Sequence, residues 1–154
     1  MMADQVELNI VLPLGTYLTE KVGSVLLPVI HGDVNILPDR APSILTLDYG
    51  LLQIFDTQGR LKGRYFVKSG MADVAANRCE VMTSAVLAYE DITPYLAKQK
   101  LEEVTREDDR LFYEMILDYQ RGVRRRYLKK LNIFGIKTGK LRFYRTDKSK
   151  DGEK

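Results

Sequence analysis

The chain has few of the residues from which catalytic and metal sites are built. Its 154 residues include one cysteine and one histidine. A single Cys79 cannot form an internal disulfide, which is typical of proteins in a reducing compartment. The lone His31 lies in a turn pattern and supplies neither a metal cluster nor a histidine-based nucleophile relay. We therefore predict no metal site and no catalytic residues.

Long apolar runs and glycine-rich loops are also missing. The longest apolar run, residues 25–30, contains Pro28 and is far shorter than the roughly 20 residues that a membrane helix needs. The glycines are isolated, so no phosphate-binding loop is predicted. The first residues lack the features of a signal or import sequence. We expect no cofactor, and contact with a membrane only through partners.

Charge is divided unevenly along the chain. Residues 1–120 contain 11 basic and 18 acidic residues, a net charge of −7, whereas residues 121–154 contain 13 basic and 3 acidic residues, a net charge of +10. Such asymmetry indicates that the two parts face different partners or each other.

The N-terminal part has the pattern of short strands separated by turns. Val6, Leu8, Ile10 and Leu12 alternate with polar residues, and turn signals recur every 8 to 12 residues. This spacing is typical of an antiparallel β-sandwich, which we predict as a domain over residues 1–88.

After residue 89 the apolar period changes to that of a helix. Thr93-Pro94 is a typical helix start, and Thr105 with Asp108 predicts the cap of a second helix. We predict a helical hairpin over residues 89–134, with Gly122 inside the second helix as a bend or frayed point. Residues 135–154 are predicted to be a basic, largely irregular extension. The fold class is thus α+β. The apolar stripe of the second helix consists of Leu111, Phe112, Met115, Ile116, Tyr119, Val123, Tyr127, Leu128 and Leu131.

One stretch resembles a family signature in which a glycine and an acidic residue precede Leu-Pro-x-His-Ala-Pro, an apolar strand and a further glycine. The matching residues of the signature are Gly32, Asp33, Leu37, Pro38, Ala41, Pro42, Leu47 and Gly50. Further matches at residues 65–74, 77–83 and 90–92 extend the resemblance over about residues 7–92. The signature that these residues resemble is that of the epsilon subunit of F-type ATP synthases.

The resemblance implies a non-catalytic subunit on the cytoplasmic face of a bacterial membrane. The sandwich would contact the gamma subunit and the ring of membrane c subunits. Asp33 matches the acidic residue placed to touch the ring, although an ordinary turn aspartate explains it equally well. The residues of the corner, Pro38, Arg40, Ala41 and Pro42, are expected near gamma or the ring. Asp39-Arg40 replaces the usual Gly-His, which leaves the role of that histidine without a residue here.

The basic part of the predicted second helix has three interpretations: a solvated surface, a nucleic-acid-binding arm, or a surface for an acidic protein. The family resemblance favours the third, in which Arg121, Arg124, Arg125 and Lys129 approach the acidic loop of the beta subunit and impede ATP hydrolysis. A nucleic-acid or ribosome-associated protein remains the alternative, because it explains the basic tail.

Some relatives of that family bind ATP through an Ile-Asp-x-x-Arg-Ala pattern. Here Thr93 replaces the acid and Leu96 replaces the arginine. We therefore predict no nucleotide-binding residues.

Overall fold

The computed structural model describes residues 3–123 and Tyr127. The chain divides into two compact units, Met1–Ile92 and Thr93–Lys154, which are described separately below. None of the helices within the described residues has both the length and the apolar character required to cross a bilayer.

The first unit contains ten strands, a short 3-10 helix at Tyr89–Asp91 and no longer helix among its described residues. The strands are β1 (Val6–Leu12), β2 (Gly15–Val22), β3 (Ser24–Val29), β4 (Gly32–Ile36), β5 (Ser43–Leu47), β6 (Gly50–Phe55), β7 (Leu61–Val67), β8 (Gly70–Ala75), β9 (Arg78–Thr83) and β10 (Val86–Ala88).

The strands form two halves that enclose one apolar core. One half has the order β10-β7-β6-β3-β4 and the other β5-β8-β9-β1-β2; they are joined where Val29 of β3 pairs with Leu47 of β5. The predicted β-sandwich is confirmed. All strand pairs are antiparallel except β1 with β9, which is parallel and was not predicted.

The core follows from the alternation along the strands. Val6, Leu8 and Ile10 are buried on β1, and Cys79, Val81 and Thr83 are buried on β9. Successive side chains of a strand point to opposite faces, so each of these strands contributes one face to the core. Strand β2 was not predicted from the sequence, because its residues are mostly exposed and polar and show no apolar period. Such a composition is typical of a strand at the edge of a sheet.

The second unit begins with α1 (Pro94–Glu103), whose start was predicted correctly. The Thr93 side chain accepts a hydrogen bond from the Leu96 N–H at 3.2 Å, and Pro94 occupies the first helical position. Thr93 therefore caps the helix in the usual way.

The predicted start of α2 (Glu107–Gln120) is one residue too early. Arg106, not Thr105, is the N-cap, and it makes no side-chain cap hydrogen bond. The Asp108 carboxylate, expected to complete a cap with Thr105, instead accepts two hydrogen bonds from the Arg106 guanidinium at 3.0 and 3.2 Å.

The second helix also ends earlier than its apolar stripe predicted. Gly122 has a φ of 79°, its N–H donates to the Tyr119 carbonyl at 3.1 Å, and the Val123 N–H donates to the Asp118 carbonyl at 2.7 Å. This pair of bonds is a Schellman motif, in which glycine takes the left-handed conformation just after the helix. Gly122 therefore ends α2 rather than bending it. Leu128 and Leu131 lie outside the described residues.

Candidate partner-binding surfaces

Asp33 is exposed on a strand and not in a turn as predicted. The turn consists of Ile30 and His31, and Gly32 already pairs with Val29, so that Asp33 is the second residue of β4 opposite Pro28. Register explains the difference, because the two-residue turn at Ile30 and His31 already closes the β3–β4 hairpin before Asp33. The carboxylate thus stands near the hairpin end of the first unit.

The corner, defined here as residues 37–42, connects β4 to β5 at the opposite end of β4. Strand β4 ends at Ile36, two residues before Pro38, as expected for a residue without a backbone donor. Pro38 is half-buried, whereas Arg40, Ala41 and Pro42 are exposed. The corner residues therefore lie together in one connection, whereas Asp33 lies three residues before the end of β4, which is about 10 Å along the strand at about 3.3 Å per residue.

The corner is hydrogen-bonded to the turn between β8 and β9. The Asp39 N–H donates to Asn77 Oδ1 at 2.6 Å, and Asn77 Nδ2 donates to Asp39 Oδ1 at 3.2 Å. Asp39 has a φ of 64°, a left-handed conformation that aspartate tolerates better than most residues. Nothing in the sequence pairs Asn77 with a residue 38 positions earlier.

The outer face of β5, β8 and β9 carries exposed apolar side chains. Met71 and Met82 are directly opposite each other and are 46% and 38% exposed, and Ile44 on the neighbouring strand is 69% exposed. A contiguous patch of exposed apolar side chains marks an interaction surface in many soluble proteins, whereas single exposed apolar residues are ordinary. We call Ile44, Met71 and Met82 the methionine face. Sequence analysis missed it because the strand order was unknown.

Two acidic residues border the methionine face. Asp73 pairs directly with Glu80 across β8 and β9, and Ile44 lies opposite Asp73 on the other side. Like charges directly opposite one another destabilise a sheet. The pair therefore favours a partner that brings basic groups to this face.

An apolar depression adjoins the methionine face. It has a volume of about 390 Å³ and is lined by residues that include Val11, Pro13, Gly70 and Met82. The neighbouring turn exposes Leu14 completely. The apolar surface thus continues from the strands to the β1–β2 turn.

The end of α2 contains a buried carboxylate with two partners. Asp118 is 1% exposed; it accepts a hydrogen bond from the Tyr127 hydroxyl, and Arg121 Nη2 lies 3.1 Å from its Oδ1. Arg121 is the C-cap of α2, so it follows the helix and is not inside a basic helix as predicted. The other predicted basic residues, Arg124, Arg125 and Lys129, lie outside the described residues.

The only cysteine of the chain is Cys79, which lies on β9. Cys79 is buried in the core, and burial, with a smaller effect of the Asp73 charge, raises the pKa of its thiol to about 12. The thiol is therefore protonated and unreactive near neutral pH. Within residues 3–123 and Tyr127, no three His, Cys, Asp or Glu side chains are grouped to hold a metal ion.

Comparison with known proteins gives a consistent result. Residues 5–88 match the family model described as the beta-sandwich domain of the ATP synthase delta/epsilon chain. The chain is 28% identical to the ATP synthase epsilon chain of Gluconacetobacter diazotrophicus over 99 residues, which cover 64% of this chain and 70% of that one. It is 32% identical to the epsilon chain of Carboxydothermus hydrogenoformans over 101 residues, which cover 66% and 74%.

A solved structure is similar in fold. One chain of the Euglena gracilis mitochondrial ATP synthase, in a structure that includes OSCP, F1 and the c-ring, superimposes with a TM-score of 0.61. The identity is 20%, and the match covers 77% of this chain and 78% of that one. At this identity the likeness supports the sandwich-and-helices fold alone.

Proposed function

The chain belongs to the epsilon subunit family of F-type ATP synthases, and from that membership we propose that it links the gamma subunit to the c-ring in the central stalk. The observation that carries the proposal is the family match over residues 5–88. In this role the subunit transmits torque through rigid surfaces and needs no catalytic residue, metal or nucleotide. It lies on the cytoplasmic face of a bacterial membrane and meets the membrane only through the ring.

The methionine face is our candidate for the gamma contact. Its three exposed apolar side chains lie beside Asp73 and Glu80. An apolar surface of gamma with basic groups at its rim complements it in both polarity and charge, and burial of the methionines supplies favourable energy at about 25 cal/mol per Å². The corner residues Pro38, Arg40, Ala41 and Pro42 extend the contact at the other end of the strands.

Asp33 is our candidate for the c-ring contact. It is exposed at the hairpin end of β4, where polar loops of the ring can approach. Leu47 and Gly70 lie at the same end of the unit, because Leu47 pairs with Val29 of β3 and Gly70 pairs with Leu47.

We expect the double substitution Met71→Glu and Met82→Glu to weaken binding to gamma at least tenfold, because it buries two charges in an apolar contact. Binding is measured by titrating the full chain into ATP synthase stripped of this subunit. The matched control, Met71→Leu with Met82→Leu, keeps the face apolar and should bind like the parent. Parent-like affinity of the glutamate variant would contradict the assignment of this face.

Site-directed crosslinking identifies the partner of each surface in the same complex. A cysteine at Asp33 should crosslink to a c subunit and one at Met71 to gamma, while a cysteine at the exposed Gln58, in the β6–β7 turn, serves as control. The native Cys79 will not interfere, since it is buried and protonated. An Asp33 variant that crosslinks only to other subunits would refute the ring contact.

The regulatory part of the proposal concerns the basic residues after α2. We propose that Arg121, Arg124, Arg125 and Lys129 stabilise an inhibitory extended state by approaching the acidic loop of the beta subunit. Charge attraction of this kind biases a conformational equilibrium in which the states differ by only a few kcal/mol.

Reversing three of these charges, Arg124→Glu, Arg125→Glu and Lys129→Glu, should increase ATP hydrolysis by the assembled head several-fold. Arg121 is left intact in this variant because it also contacts Asp118. Reversal of Lys137, Lys140 and Arg142 changes net charge equally and should leave hydrolysis unchanged. Equal rates in the first variant and the parent would rule out this form of inhibition.

A second candidate function is association with nucleic acid, favoured by the net charge of +10 on residues 121–154. Affinity purification of the tagged chain separates the two. Copurification of gamma and c subunits supports the central-stalk function, whereas nuclease-sensitive association with RNA or DNA supports the alternative.

A further inference from the structure

We propose that Asn77 is a positioning residue that holds the corner in the conformation presenting Arg40 to its protein partner. The inference rests on the proposed function, in which the corner contacts a neighbouring subunit. It adds a residue outside the corner on which that contact depends.

The backbone gives the first reason. Among residues 3–123 and Tyr127, the non-glycine residues with positive φ are Asp39 at 64°, Ala76 at 52° and Asn77 at 58°. All three lie in the two turns that the Asp39–Asn77 contact joins. Non-glycine residues occupy this region at an energetic cost, and such conformations persist only where surrounding contacts hold them. The positive φ angles of non-glycine residues in the described chain are thus confined to the corner and to the β8–β9 turn that is hydrogen-bonded to it.

The hydrogen bonds of Asn77 give the second reason. Its side-chain oxygen accepts from the Asp39 N–H at 2.6 Å, and its side-chain nitrogen donates to the Asp39 carboxylate at 3.2 Å. Its backbone carbonyl accepts from the Glu7 N–H at 2.9 Å. One residue therefore ties the corner to both the β8–β9 turn and the first strand. An amide side chain supplies the acceptor and the donor on two separate atoms, whereas an aspartate here would face the Asp39 carboxylate with a second negative charge.

The position of Arg40 follows from this attachment. Arg40 directly follows Asp39 and is exposed, and the chain after it is constrained by Ala41-Pro42 and by the bond from Ser43 Oγ to the Ala41 carbonyl at 3.0 Å. The backbone on both sides of Arg40 is thereby held before a partner arrives. A preorganised loop loses less conformational entropy on binding than a free one. The Asp39–Asn77 hydrogen bonds, which we call the clasp, therefore increase affinity although Asn77 itself does not contact the partner.

The test is a double-mutant cycle on binding of the full chain to ATP synthase stripped of this subunit. The variants are Arg40→Ala, Asn77→Gly and the two combined. Glycine is chosen at 77 because it accepts the positive φ while removing the side-chain bonds. If Asn77 acts through the corner, each single variant weakens binding about tenfold and the double variant is little weaker than either single one. Independent effects, which would multiply to about a hundredfold, overturn the inference.

Two further measurements separate this inference from its premise. Ala76→Gly relieves the neighbouring positive φ without touching the clasp, and it should bind like the parent. Hydrogen exchange at the Asp39 amide should accelerate at least tenfold in Asn77→Gly. If Arg40→Ala binds like the parent, the corner is not a contact and the proposed function is wrong at this surface. If Arg40→Ala weakens binding and Asn77→Gly does not, only the positioning role of Asn77 is refuted.

Discussion

Replacing Gly70 with alanine will destabilise the sandwich by at least about 3 kcal/mol, a large effect for a single methyl group. A Cβ at this position would stand 1.9 Å from the carbonyl oxygen of Met82 and 3.0 Å from its carbonyl carbon. Both are backbone atoms of β9, so no side chain can move aside, and the pairing of β8 with β9 must shift. For a unit of this size we expect the melting temperature to fall by more than about 10 °C.

Gly63→Ala is the matched control for Gly70→Ala. Gly63 also lies in a strand, β7, but the nearest atoms to its added Cβ belong to the Tyr65 ring at 3.3 Å, a side chain that can rotate slightly. Its melting temperature should stay within a few degrees of the parent. Thermal unfolding of the full chain, followed by circular dichroism of the strands, measures both. A Gly70→Ala variant that melts like Gly63→Ala would show that β8 and β9 are further apart than described.

Replacing Asp118 with alanine is expected to destabilise the end of α2 by about 2 to 3 kcal/mol. The carboxylate is buried, accepts a hydrogen bond from the Tyr127 hydroxyl and lies 3.1 Å from Arg121. Removing it takes an acceptor from a buried hydroxyl and a counter-charge from Arg121, and losses of this kind are larger than the net value of an average hydrogen bond. Hydrogen exchange of the α2 amides should accelerate at least tenfold.

Two other variants provide a partial loss of the Asp118 contact and a control for it. Tyr127→Phe removes only the hydroxyl and should cost about 1 kcal/mol. Glu102→Ala removes an exposed carboxylate from α1 and should leave α2 protection unchanged. Parent-like exchange in Asp118→Ala would mean that the contact with Tyr127 does not hold the end of the helix.

The end of α2 also shows where sequence reasoning failed. Val123 and Tyr127 continue the apolar spacing of Met115 and Tyr119, which predicted a helix beyond residue 130. In a continuous helix Asp118 and Tyr127 would be about 13 Å apart along the axis and on opposite faces, since nine residues make two and a half turns. Their hydrogen bond exists only because the chain leaves the helix at Gly122. Periodicity reports which side chains favour burial, and it cannot report that a chain turns back.

The predicted surface residues show the same limit at the level of the sheet. Strand β4 ends two residues before Pro38, because the missing backbone donor of proline acts on its immediate neighbours. Asp33, by contrast, was placed in a turn and lies in β4, because the two-residue turn that sets its position depends on pairing with β3. The domain boundaries at residues 88 and 134 stay predictions.

The amino-acid order alone determined the features that depend on neighbouring residues: the alternation along the strands, the Thr93 cap and the family to which the sequence points. Only the tertiary structure decided which distant residues meet: the parallel pairing of β1 with β9, the methionine face, and the clasp between Asp39 and Asn77. Local geometry is set by backbone preferences within a few residues. Contacts across the chain depend on strand order and register, which follow from burying the whole core at once.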